Sequence, residues 1–153
     1  IGLGGWIPAH ELFALQNAIS PVPKAILESN NTLMSAFENQ GLWVPLLLIA
    51  VIPAVCEELF FRGVFLAVMG AAVQSGRVSI LGAPIGWAGL IVTLLFGLGH
   101  GVMYAEGAVN ANWPIVIITG SIGFGLLWIR ERTGSILIPI LAHNAINVTL
   151  SFF

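Results

Sequence analysis

Between Ile80 and Gly99 the chain has no charged side chain, and residues 42–73 are apolar except at Glu57, Glu58 and Arg62. A helix needs about 20 predominantly apolar residues to cross a bilayer, so each stretch is long enough for a transmembrane helix. Two further apolar stretches follow, 113–129 and 136–153. The first opens on Trp-Pro and closes against Arg130, an interfacial aromatic and a charged flank. The second carries His143, Asn144 and Asn147 within it. Of the 153 residues, 58% are hydrophobic and 8% charged, against about a quarter charged in a soluble domain. The mean hydropathy is +0.98. The expected fold is all-α, a polytopic membrane helix bundle with about four transmembrane helices.

Residues 1–41 differ from the rest. They mix polar and apolar residues and are interrupted by Pro21 and Pro23, which reads as short N-terminal interfacial or solvent-facing helices with His10 and Glu11 on a solvated face. Residues 42–153 form the expected core. The chain opens on Ile rather than Met, as expected of a piece of a longer protein. Pro45 falls near the start of the first long helix, where a missing N–H is harmless, but Pro53 should kink that helix or free a carbonyl near Glu57. Such a break marks a cavity more often than a lipid face. Gly120, Gly123 and Gly125 read as close-packing positions between helices. Arg77, Arg130 and Arg132 fall in loops on one side of the bundle and Glu106 on the other, so the positive-inside rule places the arginines in the cytoplasm. A net charge of -2 with five basic residues offers no nucleic-acid surface. The single cysteine, Cys56, excludes an intrachain disulfide and reads as a small buried thiol.

An ionisable residue in a membrane helix costs roughly 2.5–3.5 kcal/mol on insertion scales, yet Glu57, Glu58, Arg62, His100 and His143 all fall within the apolar stretches. Glu58 and Arg62 are four residues apart, share a helical face and can neutralise each other as an ion pair. Glu57 points about 100° away and is left free to act as a general base. Phe96 and His100, and likewise His143 and Asn147, are also spaced four apart, so three helices each offer polar groups to a common interior. A histidine near a carboxylate can share a water, and an asparagine beside a second histidine can donate to a developing oxyanion. The same atoms, Glu57, His100 and His143, could instead hold a divalent metal such as zinc, although no HExxH spacing is present. Asn144 reads as a packing or hydrogen-bond tie, and Phe96 as a wall of the cavity.

Glu57-Glu58-x-x-x-Arg62, Phe96-x-x-x-His100 and His143-x-x-x-Asn147 follow in order on successive hydrophobic stretches, with "TGSILIPILAHNAIN" closing the set. This pattern resembles the CAAX protease and bacteriocin-processing (CPBP, or Abi) family of intramembrane proteases over residues 42–150. The resemblance implies a helical core with a conical cavity. It implies further that Glu57 and His100 activate a water, that His143 and Asn147 stabilise the oxyanion, and that Glu58 and Arg62 support them. A metal-free, glutamate-dependent mechanism is the expectation, with zinc as the alternative cofactor. The implied substrate is a membrane-anchored protein or peptide, prenylated or not, cut near its anchored C-terminal end. Relatives also act in peptide maturation, bacteriocin immunity and C-terminal sorting. The implied location is a prokaryotic inner membrane, with several passes. The reading from a different class is a proton or ion transporter, with the same carboxylates and histidines as a relay.

Overall fold

The computed structural model describes residues 43–74, 76–105 and 107–152, together with Thr32, Ser35 and Gly41. Apart from Thr32 and Ser35, which are helical, the expected N-terminal helices lie outside the described residues, as does Glu106.

The first long apolar stretch is helical throughout residues 43–72, here α1, but it is not uniform. It alternates α-helix (Trp43–Pro45), π-helix (Leu46–Val51), α-helix (Ile52–Glu58), π-helix (Leu59–Phe65) and α-helix (Leu66–Ala72). Pro53 explains the first widened turn, because it has no N–H to donate and its ring presses on the carbonyl one turn back. The expected kink therefore takes the form of a π segment. The second π segment contains Arg62 and Gly63, directly after the paired carboxylates.

A hairpin, β1 (Val78–Ile80) with β2 (Ala83–Ile85), leads into α2 (Trp87–Gly101). Here the structure corrects the expected second helix. Residues 80–86 form a tight turn and strand, with Gly82 at φ 83°, because Gly82, Pro84 and Gly86 disfavour helix. A second antiparallel hairpin, β3 (Val102–Ala105) with β4 (Ala108–Ala111), replaces the expected loop after α2, with Gly107 at φ 80° in its turn. The fold is thus mostly helical with two small hairpins rather than all-α.

The third helix, α3, runs Trp113–Thr133, past the expected end, so Arg130 and Arg132 lie on its last turn rather than in a loop. Asn112 caps it by accepting from the Ile115 amide, and Gly134 ends it in the left-handed conformation. The fourth, α4, spans Leu137–Phe152. By length and composition α3 is apolar and long enough to cross a membrane, while Trp87–Gly101 and Leu137–Thr149 are apolar but shorter.

The closest packing is between α2 and α3. A Cβ at Gly97 would lie 2.8 Å from the Val116 carbonyl and 3.0 Å from Gly120 Cα, so Gly97 and Gly120 let the two backbones approach closely. Gly123 packs as expected, but Gly125 has nothing within 4 Å of a Cβ position. Helix α1 bridges the rest, touching α4 through its first half and α2 through its second. The apolar core joins Leu66 of α1, Ala83 and Ile85 of β2, Val92 of α2 and Leu127 of α3. It fastens the β1–β2 hairpin to the helices and leaves the polar side chains of α1 facing α2 and α4.

Candidate active site

Glu57 and Glu58 close the middle α segment of α1, and Arg62 follows in the π segment. The expected ion pair forms, with Arg62 Nη1 2.8 Å from Glu58 Oε1 and both side chains almost completely buried, at 1% and 0% exposure. Its surroundings explain why burial is tolerated. Arg62 Nη2 donates to the Gly123 carbonyl at 2.9 Å, and the guanidinium carbon lies 4.3 Å from the Phe96 ring centroid. A charge removed from water survives only with partners on several sides.

The same Glu58 oxygen has a second partner, His143 Nδ1 on α4, also at 2.8 Å. A carboxylate oxygen already accepting from arginine can only accept again, so Nδ1 carries the proton and donates to it, and Nε2 faces the other side of the ring. His100 is fixed by the same logic. Its Nδ1 lies 2.8 Å from the carbonyl of Phe96, one turn earlier on α2, so Nδ1 donates to that carbonyl and Nε2 is the nitrogen that faces Glu57.

Both Nε2 atoms converge on one oxygen. Glu57 Oε2 is 3.6 Å from His100 Nε2 and 4.0 Å from His143 Nε2. It is buried without a hydrogen-bond partner among the described residues. These separations exceed a direct hydrogen bond. Glu57, His100 and His143, expected from the sequence to act together, are thus brought together from three helices. Phe96 is more than a wall. Nearly fully buried, it contacts the rings of His100 and His143, with centroids at 4.5 and 6.0 Å, as well as Arg62.

Asn147 lies one turn beyond His143, where its amide nitrogen donates to the Ala50 carbonyl in the first π segment at 3.3 Å. Asn144 donates to the Ile140 carbonyl, a tie within its own helix. Cys56 is exposed rather than buried, because it lies on the outer face of α1. Two participants were missed in the sequence: the Gly123 carbonyl, which holds Arg62, and the Ala50 carbonyl, which holds Asn147. Both are backbone atoms, which leave no residue-type signal.

The donor set was tested against the zinc alternative. Ligand atoms at 2.0–2.1 Å from a tetrahedral zinc lie roughly 3.3 Å from each other, whereas the Glu57–histidine separations are 3.6 and 4.0 Å. No group of three His, Cys, Asp or Glu among the described residues has the geometry to hold a metal. The arrangement does not fit zinc as it stands, and no step is derived through one.

No curated protein and no solved structure matches the chain. Residues 39–149 match the type II CAAX prenyl endopeptidase Rce1-like family, a stretch that holds every side chain of the site described above. The chain therefore belongs to the Rce1-like family of type II CAAX prenyl endopeptidases, membrane-integral proteases.

Proposed function

We propose that the chain is an intramembrane endopeptidase in which Glu57 and His100 activate a water against a peptide bond close to the substrate's membrane anchor. The observation that carries this is the convergence of two imidazole Nε2 atoms and one carboxylate oxygen, from three helices, within 3.6 and 4.0 Å. The water donates one hydrogen to Glu57 and the other to His100 Nε2. As its oxygen attacks the carbonyl carbon, Glu57 takes the proton, and collapse of the tetrahedral intermediate returns it to the leaving amine nitrogen. The oxyanion needs a donor. His143 supplies it when doubly protonated, with Glu58 on its Nδ1–H and the developing oxyanion on its Nε2–H. Asn147 is the second donor once its amide turns from Ala50.

In this reading four helical segments cross the bilayer. The support is an inverted polarity: Glu58, Arg62 and His143 are buried, while Phe60, Val64 and Val68 of α1, Leu94 of α2, Ile117 of α3 and Leu141 of α4 are exposed. Helix α2, at 15 residues, rises only about 22 Å, and a hairpin continues the chain at each of its ends. The substrate class is a protein or peptide anchored at its C-terminal end. The test is cleavage in liposomes of matched peptides bearing a prenyl group, a transmembrane segment or neither, followed by mass spectrometry. Cleavage confined to the anchored peptides is expected, and equal cleavage of the free peptide would refute an intramembrane site.

A further inference from the structure

The β1–β2 hairpin is built against the usual chemistry of its turn. Two-residue hairpin turns favour Asn-Gly or Asp-Gly because the first position needs a positive φ. Here that position is Leu81, at φ 48°, the sole non-glycine residue with positive φ among the described residues. A leucine rarely adopts this conformation, and at 85% exposure it gains no burial within the protein in return. The hairpin is nonetheless firmly held. Ala83 and Ile85 lie in the core, Trp128 Nε1 donates to the Ile80 carbonyl at 2.9 Å, and Arg77 pairs with Glu131 at 2.7 Å.

This rigid support presents an exposed apolar hairpin, with Leu81 at its turn, Ile80 before it and Val78 at its base, and the exposed Trp87 follows β2 at the start of α2. Arg77, half exposed, reaches the Pro84 carbonyl at 3.4 Å as well as Glu131, and Arg132 is exposed. Arg132 reaches the Gly82 carbonyl at 3.4 Å, which places its charge at the turn itself. An apolar wedge with guanidinium groups beside it is complementary to a negatively charged leaflet, with acyl chains below and phosphates at the level of the arginines.

We propose that the β1–β2 hairpin is a seat for anionic phospholipid headgroups, with Leu81 inserted among the acyl chains and Arg77 and Arg132 on the phosphates. The inference is independent of the catalytic reading.

The test uses the full chain reconstituted in vesicles of phosphatidylcholine, with and without phosphatidylglycerol. An environment-sensitive fluorophore is attached to Leu81→Cys in a Cys56→Ser background. Blue-shifted emission, quenched by nitroxides placed high on the acyl chains, is expected, and water-like emission insensitive to those nitroxides would overturn the proposal. Protection that rises with the protein-to-lipid ratio would assign the tip to a second copy of the chain and also overturn it. Native mass spectrometry supplies the headgroup arm. The wild type is expected to retain phosphatidylglycerol over phosphatidylcholine, and the Arg77→Gln, Arg132→Gln double variant to lose most of that preference. Leu81→Asn suits the turn better and keeps the hairpin folded. It should retain phosphatidylglycerol several-fold less, and unchanged retention in both variants would overturn the assignment.

Discussion

The two histidines of the site sit in opposite surroundings. His143, on α4, is 7% exposed and held by a buried carboxylate that is itself held by a buried arginine. His100, on α2, is 35% exposed, with Nδ1 on a carbonyl of its own helix, its ring against Phe96 and Nε2 3.6 Å from Glu57. The first belongs to a network running from Gly123 through Arg62 and Glu58 Oε1 to His143, with Glu58 Oε2 buried and without a hydrogen-bond partner among the described residues. The second stands at an opening, beside the half-buried Glu57. In the proposed mechanism the difference separates two tasks of adjacent carboxylates. Glu58 gives geometry to the closed side through Oε1, and Glu57, 30% exposed against 0% for Glu58, faces the two histidine Nε2 atoms.

The contrast can be broken most forcefully on the closed side. Glu58→Gln keeps the shape but can donate from its amide to Nδ1, favouring the wrong tautomer of His143. The equivalent change in a serine protease triad costs about 10⁴ in kcat, and a loss of about 10²–10⁴ in kcat with little change in KM is expected here. A proportional rise in KM would argue for a substrate-binding role instead. Arg62→Met removes the only cation beside Glu58 and should destabilise the fold by about 3–5 kcal/mol, read by denaturant unfolding in detergent. His143→Ala should cost about 1–3 kcal/mol of stability, because a buried partner of Glu58 is lost, whereas His100→Ala should abolish cleavage and leave stability nearly unchanged. Equal destabilisation by the two would erase the distinction drawn above. The smallest effect is expected from Gly123→Ala. Its methyl would meet Phe96 Cδ1 at 2.8 Å and Arg62 Nη2 at 3.2 Å, costing about 1–3 kcal/mol through overpacking.

What could be seen in the sequence was what helical spacing controls. Glu58 with Arg62 and Phe96 with His100 each lie one turn apart, so a shared face followed from the 3.6-residue repeat, and the apolar lengths marked the helices. The bond from Glu58 to His143 spans 85 positions and depends on how α1 and α4 pack, which no local pattern encodes. It gives Glu58 a role beyond the simple ion pair expected. Within the hairpin, residues 80–85 read as the start of a helix because they are apolar and the turn is Leu-Gly rather than Asn-Gly, so apolar continuity hid the glycine and proline signals. The π segments were visible only as a disturbance expected around Pro53. Assigning Asn147 to the oxyanion side rested on its spacing from His143, but the amide is engaged with Ala50, a carbonyl whose position depends on that widened turn.

The central claim is that, of two adjacent carboxylates, Glu57 does the chemistry. The most direct measurement is the rate of cleavage of an anchored peptide in liposomes by wild type and by Glu57→Gln, with the fold of the variant verified by unfolding in detergent. Loss of a general base typically costs about 10²–10⁴ in rate, so cleavage by a folded Glu57→Gln variant should fall to background. Cleavage by that variant within a few-fold of wild type would contradict the account and leave the converging histidines as a structural or relay device.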